Sequence, residues 1–311
     1  MVNKLPMLHR KKEGIIMAKE KKQHRLDRPD GYYIKDTDTM HKFFPYLLPN
    51  RTDNEAVMSE TVDLTAIKAY LEKKNADSPE FKYTFFHVIC AAIAKTIALR
   101  PRMNRFYAGQ RFYERKDIII SFTAKRRLVD NSDEALAMLK IDRDGDMPPI
   151  EQVYEKVKKF VYSVRRDGNM DNTTDIMATI LKLPRPIVKL LMKVLRFLEY
   201  HGKYPLSLMK EDPYYSSVYV SNLGSIKMHA SYHHLTNWGT NSLFVVIDEK
   251  KPMIFFDEDG KPDVREDLNL GITIDERIAD GMYFANSIKI LRKILENPEL
   301  LELPIMTEVE L

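Results

Sequence analysis

Ile272-Thr273-Ile274-Asp275-Glu276-Arg277-Ile278-Ala279-Asp280-Gly281 (residues 272–281) is the stretch whose reading decides the fold. An apolar strand, Arg265–Ile274, delivers four charged residues to the mouth of a helix. Burying that many charges costs several kcal/mol per unpaired ion, so Arg277 is expected to pair with Asp275 or Asp280. Asp280 also stands where a helix N-cap belongs. Beyond Gly281, Phe284, Ile288, Leu291 and Leu295 form the apolar stripe of a final helix. Arg292 and Lys293 suit its C-terminal end, and Asn297-Pro298 closes it.

Working outward, the last third of the chain reads as strands at Ser216–Ser221, Thr240–Asp248 and Pro252–Phe256, with a turn at Asp257-Glu258-Asp259-Gly260. Val220-Ser221-Asn222-Leu223-Gly224 is a strand that ends in a serine and a glycine turn, where a hydroxyl can donate to a developing oxyanion. In the first half, Asp63-Leu64-Thr65 opens a short helix with Leu64, Ile67 and Leu71 at helical spacing. Thr84–Leu99 is apolar nearly all round and predicts a buried helix that Arg100-Pro101 stops. Asn104–Tyr107 and Arg111–Arg115 read as a hairpin with the loop Ala108-Gly109-Gln110, and Ile118–Thr123 as a central strand. From about 150 to 200 the reading is helical, with a seam of Ile150, Val153, Val157, Phe160 and Val164 that packs on another helix. Strands, then helices, then strands predict an α+β protein, a two-layer sandwich of a mixed sheet with helices on one face.

Ile187–Leu198 carries Lys189, Lys193 and Arg196 along one face. Such a helix can lie on an anionic membrane. Leucine, valine and phenylalanine fill most of its circumference, however, so the expected arrangement packs it on the body with a solvated basic stripe, and no membrane contact is expected. No segment reaches the roughly 20 apolar residues of a membrane span, and Ile15-Ile16-Met17-Ala18 is too short for a signal-peptide core. A cytoplasmic protein is the default, with Met17 an alternative start.

Of the 311 residues, 44% are apolar and 30% charged, with a net charge of +4. That balance belongs to a folded chain rather than a disordered one. Residues 1–28 hold nine lysines and arginines against three acidic residues, so this basic tail carries +6 and the body, 29–311, carries −2. A nucleic-acid-binding body is therefore disfavoured. Cys90 alone permits neither a disulfide nor a cysteine-based zinc site. His233 and His234, read as neighbours in a strand, point to opposite faces and have no third ligand at useful spacing, so no metal is expected.

Taken together and in order, these pieces resemble the trimeric acyltransferases of the chloramphenicol acetyltransferase fold, and most of all the catalytic domain of the dihydrolipoyl acyltransferases of 2-oxo acid dehydrogenase complexes. The matching segments are Glu60-Thr61-Val62-Asp63-Leu64-Thr65, the apolar helix ending at Arg100-Pro101 with Asn104 and the hairpin, Val220-Ser221-Asn222-Leu223-Gly224, Asp275–Gly281, and the helix ending Leu295-Glu296-Asn297-Pro298-Glu299-Leu300. They span about Met40 to Leu301. The resemblance implies a homotrimer with the site between subunits, a coenzyme A thioester as substrate, a histidine base, a serine oxyanion donor and an aspartate that organises the loop.

Carried over residue by residue, Ser221, Asp275, Arg277, Asp280 and Gly281 are present, but Glu276 holds the place of the histidine. No histidine follows His234, and His233-His234-Leu235-Thr236-Asn237-Trp238-Gly239 only imitates the motif, with Trp238 where an aspartate is needed. A histidine reaching the site from elsewhere in the fold is left open. The sequence contains no lipoyl domain, lipoyl group site or subunit-binding domain, and the helical stretch 150–202 is longer than the family's connection. Glutamate ionises near about 4.3 and histidine near about 6.5, so glutamate is the weaker base by about 3 kcal/mol of driving force. Beside a membrane-surface protein that would use Ile187–Leu198 and the basic tail, which is not favoured, two readings follow. One is an acyltransferase with Glu276 as base, Ser221 as oxyanion donor and Asp280 as organiser, passing an acyl group from coenzyme A to a thiol or hydroxyl. The other is a non-catalytic trimer that binds an acyl thioester or a protein.

Overall fold

The structure is a computed structural model that describes residues 24–125, 129, 134–166, 179–229, 232–256 and 259–310. In chain order the main elements are β1 (Gly31–Tyr33), α1 (Thr39–Leu47), β2 (Glu55–Asp63), α2 (Thr65–Lys74), α3 (Phe85–Leu99), β3 (Arg105–Ala108), β4 (Arg111–Arg115), β5 (Ile118–Lys125) and β6 (Glu134–Ile141). They continue with α4 (Pro149–Arg166), α5 (Arg185–Tyr200), β7 (Val218–Asn222), β8 (Leu243–Ile247), β9 (Lys251–Phe256), β10 (Pro262–Asp275) and α6 (Gly281–Glu296). The main sheet runs β2-β10-β8-β7-β5-β6, with β9 on the first half of β10; β7 is parallel to β5 and β8, and the other pairs are antiparallel. A small sheet, β1-β4-β3, stands apart.

The mixed sheet with helices on one face is the α+β sandwich that the sequence predicts. Alternation along the strands decides which side chains meet the helices. Val218 and Val220 of β7 and Leu270, Ile272 and Ile274 of β10 join the core with Val88, Ile89 and Ile93 of α3 and Leu291 and Ile294 of α6. Their neighbours Tyr219, Ser221, Gly271, Thr273 and Asp275 therefore lie on the opposite face. There Phe244 and Val246 of β8 form a second small core with Leu235. All five residues of β8 are buried, which is why Leu-Phe-Val-Val-Ile shows no polar alternation. The α4 seam packs on α3 as expected, with Ile150, Val153, Val157 and Val164 buried.

Three expectations change. The hairpin loop has two residues, because Ala108 still pairs with Arg111 and both Gly109 (φ 55°) and Gln110 (φ 60°) are left-handed. His233 and His234 lie in an irregular segment, not a strand, so their rings sit on one side, 4.6 Å apart, with His233 stacked on Phe244. The largest change is at α5, none of whose residues is buried. Its C-terminal end is held, and along the rest only the arc of Val188, Met192 and Leu195 faces the body. Tyr200 donates to Gln110 (2.7 Å), Arg28 bonds the Glu199 carboxylate (2.9 Å) and backbone oxygen (3.0 Å), and a Cβ on Gly109 would meet the Tyr200 oxygen at 1.9 Å. Residues 1–23 of the tail, and Asp257 and Glu258 of the turn, lie outside the described residues.

Helix α3 is closed at its start by a capping box. His87 Nδ1 accepts from the Thr84 backbone N–H at 3.0 Å. Burial pushes the His87 imidazole down to about 4. An unfolded histidine ionises near about 6.5, so the unfolded state binds more protons between these values, and the folded state loses about 3 kcal/mol as pH falls through that window. The contribution is fully present above the window. Urea unfolding at about pH 7.5 and about pH 5 should show a drop of about 2 kcal/mol from this group. His87→Gln keeps the capping acceptor and cannot titrate, so its drop should be smaller by that amount; equal drops would remove His87 as the cause.

Candidate active site

The turn after β10 is built around a buried carboxylate. Asp275 is wholly buried. Arg277 grips it with two bonds, Nε to Oδ1 at 2.8 Å and Nη2 to Oδ2 at 2.7 Å, and Arg51 Nε lies 3.7 Å from Oδ2. Arg277 is thus the partner of Asp275, not of Asp280. It also donates to the Leu48 oxygen at 2.8 Å and its guanidinium lies 4.9 Å from the centre of the Tyr107 ring. Arg51 reaches the backbone oxygens of Thr236, Tyr107 and Gly239. Burial pulls the Arg51 guanidinium down, and the Asp275 charge pulls it back up. Two guanidinium groups and one carboxylate therefore join the end of β10 to residues 48–54 and 236–239.

Between the two inward-facing residues, Glu276 points out. Its backbone N–H donates to the Asn54 oxygen at 2.9 Å and its side chain is exposed. Asp280 is also exposed. It caps α6 by accepting from the Tyr283 N–H at 2.9 Å and faces Arg102 at 3.5 Å. The capping bond, with Arg102 adding to it, holds the Asp280 carboxyl below its ordinary range. Gly281 begins α6. Glu276, Asp280 and Gly281 line a cavity of about 820 Å³ between α1 and α6, whose floor is apolar (Phe44, Met58, Phe284, Ile288). That volume lies in the range of small-molecule sites. A smaller cavity of about 250 Å³ lies on the other side of the turn, against Arg51, Tyr107 and Arg277.

Another member of the larger cavity is a histidine that sequence reasoning missed. His41 of α1 lines the same cavity as Glu276. Asp38 caps α1 by accepting from the His41 backbone N–H at 3.0 Å, and its other oxygen lies 2.5 Å from His41 Nδ1. These bonds, the backbone one foremost, hold the Asp38 carboxyl below its ordinary range. A proton placed on Nδ1 toward the carboxylate leaves Nε2 as the acceptor of the neutral ring. The signal for it was Asp38-Thr39-Met40-His41, a cap residue followed three places later by a side chain able to fold back.

Ser221 is not in this cavity. It is half-buried near the end of β7, and among the described residues its hydroxyl has no hydrogen bond. The turn after it is set by Asn222, which accepts from the Ser225 N–H at 3.2 Å, and by Gly224, where a Cβ would meet the Asp248 oxygen at 2.3 Å. Register shows how far Ser221 lies from the acidic turn. Ser221 pairs with Val246, Val246 with Gly271, and Asp275 lies four residues further along β10. Two strand spacings and four residues of rise separate Ser221 from Asp275 by about 16 Å. Within one chain the serine and Glu276 cannot hold the same reacting atom. No group of three or more histidine, cysteine or acidic residues suited to a metal ion occurs among the described residues.

No family model matches the chain, and no curated protein matches it. Solved structures do. The chain is similar to a probable dihydrolipoamide acetyltransferase from Listeria monocytogenes, at 15% identity over 90% of this chain and 98% of that one, with a TM-score of 0.53. It is similar to the dihydrolipoamide acetyltransferase of Azotobacter vinelandii, at 14% identity over 86% and 93% with a TM-score of 0.55, a protein studied for the roles of a serine, a histidine and an asparagine in its catalytic mechanism. A chloramphenicol acetyltransferase aligns at 11% identity over 85% and 99%, with a TM-score of 0.51. Identities this low establish the fold, which is that of chloramphenicol acetyltransferase and the dihydrolipoamide acetyltransferase catalytic domain.

The two adjacent acids should behave oppositely on substitution. Asp275→Asn leaves two buried guanidinium groups short of a counter-charge and should cost about 3–5 kcal/mol. Glu276→Gln changes an exposed side chain and should stay within about 0.5 kcal/mol of wild type. Urea denaturation of both variants checks this, and a similar loss in each would contradict the inward and outward assignment.

Proposed function

We propose that this chain is the subunit of a homotrimeric, cytoplasmic acyltransferase that moves an acyl group from a coenzyme A thioester to a thiol or hydroxyl acceptor. The catalytic unit would be residues 29–311, with 150–202 as a helical insertion and 1–28 as a basic tail. The observation that carries this reading is the placement of the site residues. Glu276 opens onto a ligand-sized cavity, while Ser221 lies about 16 Å from the neighbouring Asp275 on the register geometry above. A site with its proton acceptor and its oxyanion donor on separate ends of one subunit is complete only where two subunits meet, as the resemblance implies.

The chemistry assigns each residue one task. The acceptor S–H or O–H gives its proton to the Glu276 carboxylate and attacks the thioester carbonyl. The oxygen that becomes negative accepts a hydrogen bond from the Ser221 hydroxyl of the neighbouring subunit. Collapse breaks the C–S bond, and the departing thiolate of coenzyme A recovers the proton. Asp280 fixes the start of α6, of which Gly281 is the first residue, while Asp275 and Arg277 hold the turn rather than touch the substrate. His41 offers a second proton acceptor in the same cavity, and with Asp38 on Nδ1 it has the orientation a base needs. The alternative, a non-catalytic trimer that binds an acyl thioester or a protein, draws its support from the glutamate in the histidine's place.

Turnover of acetyl-CoA and longer acyl-CoA with a panel of thiols and alcohols tests the proposal. Ser221→Ala should lower kcat by about 100-fold or more. Comparing Glu276→Gln with His41→Gln identifies the base: the variant that abolishes turnover and removes the acidic limb of the pH profile carries the proton. Binding of coenzyme A without turnover in the intact wild-type trimer would favour the alternative.

A further inference from the structure

Helix α5 has three distinct faces. At 3.6 residues per turn, Val188, Met192 and Leu195 share one arc, and this arc turns to the body over a cavity of about 400 Å³ that Tyr204, Leu208 and Trp238 complete. A second arc holds Ile187, Leu190, Val194 and Phe197, which are 49%, 62%, 46% and 63% exposed. The third holds Lys189, Lys193 and Arg196, with Arg185 at its start. The apolar and basic arcs are adjacent, each less than about 90° wide. Leu181, 74% exposed, and Leu183 extend the apolar surface ahead of the helix. The helix has a single acid, Glu199, and Arg28 already occupies it.

We infer that α5 is an interfacial helix that lays its outer apolar arc on an anionic lipid surface, with the lysines and arginines at headgroup level. An exposed apolar arc about four residues long, flanked by cations and free of unpaired carboxylate, is the pattern of a helix lying in the plane of a membrane. It lacks the neutral hydrogen-bonding side chains with which a protein partner would be oriented. One such helix binds weakly and reversibly, as a peripheral contact. Each cation near an anionic leaflet adds to the attraction, and the attraction falls with salt. No helix among the described residues is long and apolar enough to cross a membrane, so the contact is with one surface.

Co-sedimentation of the full chain with vesicles of phosphatidylcholine alone, or with about 30% phosphatidylglycerol, tests the inference. The wild type should bind only the anionic vesicles and lose binding at high salt. The double substitutions Leu190→Gln with Phe197→Gln and Lys189→Glu with Lys193→Glu should each weaken binding by about tenfold or more. All four side chains are exposed, so far-UV circular dichroism should be unchanged. Absence of binding to anionic vesicles, or binding unaltered by both helix variants, overturns the inference. So does a fall in oligomer mass by light scattering in the Leu190→Gln, Phe197→Gln variant with no vesicle binding by the wild type, because the arc is then a surface between copies of this chain.

Discussion

The buried carboxylate of Asp275 is the constraint on which the C-terminal half of the site depends. It lies at the end of the longest strand, gripped by Arg277 two residues later and approached by Arg51 from a distant segment. Desolvating three charges is unfavourable, and such clusters are weak evidence of net stability. Their effect here is geometric. The Arg51 guanidinium needs Asp275, and also the carbonyls of Thr236, Tyr107 and Gly239, so four chain segments must arrive together or leave a charge unpaired in the interior. Arg277 adds the Leu48 oxygen, which fixes the exit of α1 against the turn. The wall that carries His41 is thereby tied to the wall that carries Glu276.

The sheet imposes the second constraint. Because β10 runs antiparallel to β8 and β8 parallel to β7, the C-terminal end of β10 lies beside the N-terminal end of β7. Ser221 is near the C-terminal end of β7, and the hydrogen-bond register leaves no freedom to bring it closer. A one-residue slip would not help, since it would turn Val218, Val220, Leu270 and Ile272 out of the core. Any chemistry that needs both Ser221 and Glu276 must therefore use two copies of the chain.

Much of this frame was legible in the sequence, because it rests on local patterns. The all-apolar α3, the stripe of α6, the hairpin and the Asp-Glu-Arg turn each announce themselves within a dozen residues, and the pairing of Arg277 follows from the cost of buried charge. What the sequence hid depends on tertiary neighbours. Strand β2 is mostly half-exposed and polar on one face, so Glu55–Asp63 lacks the apolar run that marks β8. Strand β6, Glu-Ala-Leu-Ala-Met-Leu-Lys-Ile, carries residues of good helix propensity and becomes a strand through its pairing with β5. His41 sits in a short helix whose role comes from the cavity beside it. The outward arc of α5 was read as packed because periodicity reports amphipathicity but not what covers it. The arc that touches the body, Val188, Met192 and Leu195, covers a cavity and leaves the other apolar arc outside.

The frame around position 276 makes no use of its side chain. Its neighbours on both sides turn inward to form the ion pair, so the residue between them must turn outward, whatever its identity. The backbone bond from Glu276 to the Asn54 oxygen fixes that position without using the side chain. The frame is therefore indifferent to the side chain, and selection can alter the chemistry there without a stability cost. The cavity also holds Lys289 of α6 and the imidazole of His41 of α1, whereas Arg292 of α6 is bonded to the Glu60 carboxylate at 2.9 Å. Whatever the Glu276 side chain does, it therefore does in the company of the lysine of α6 and the histidine of α1.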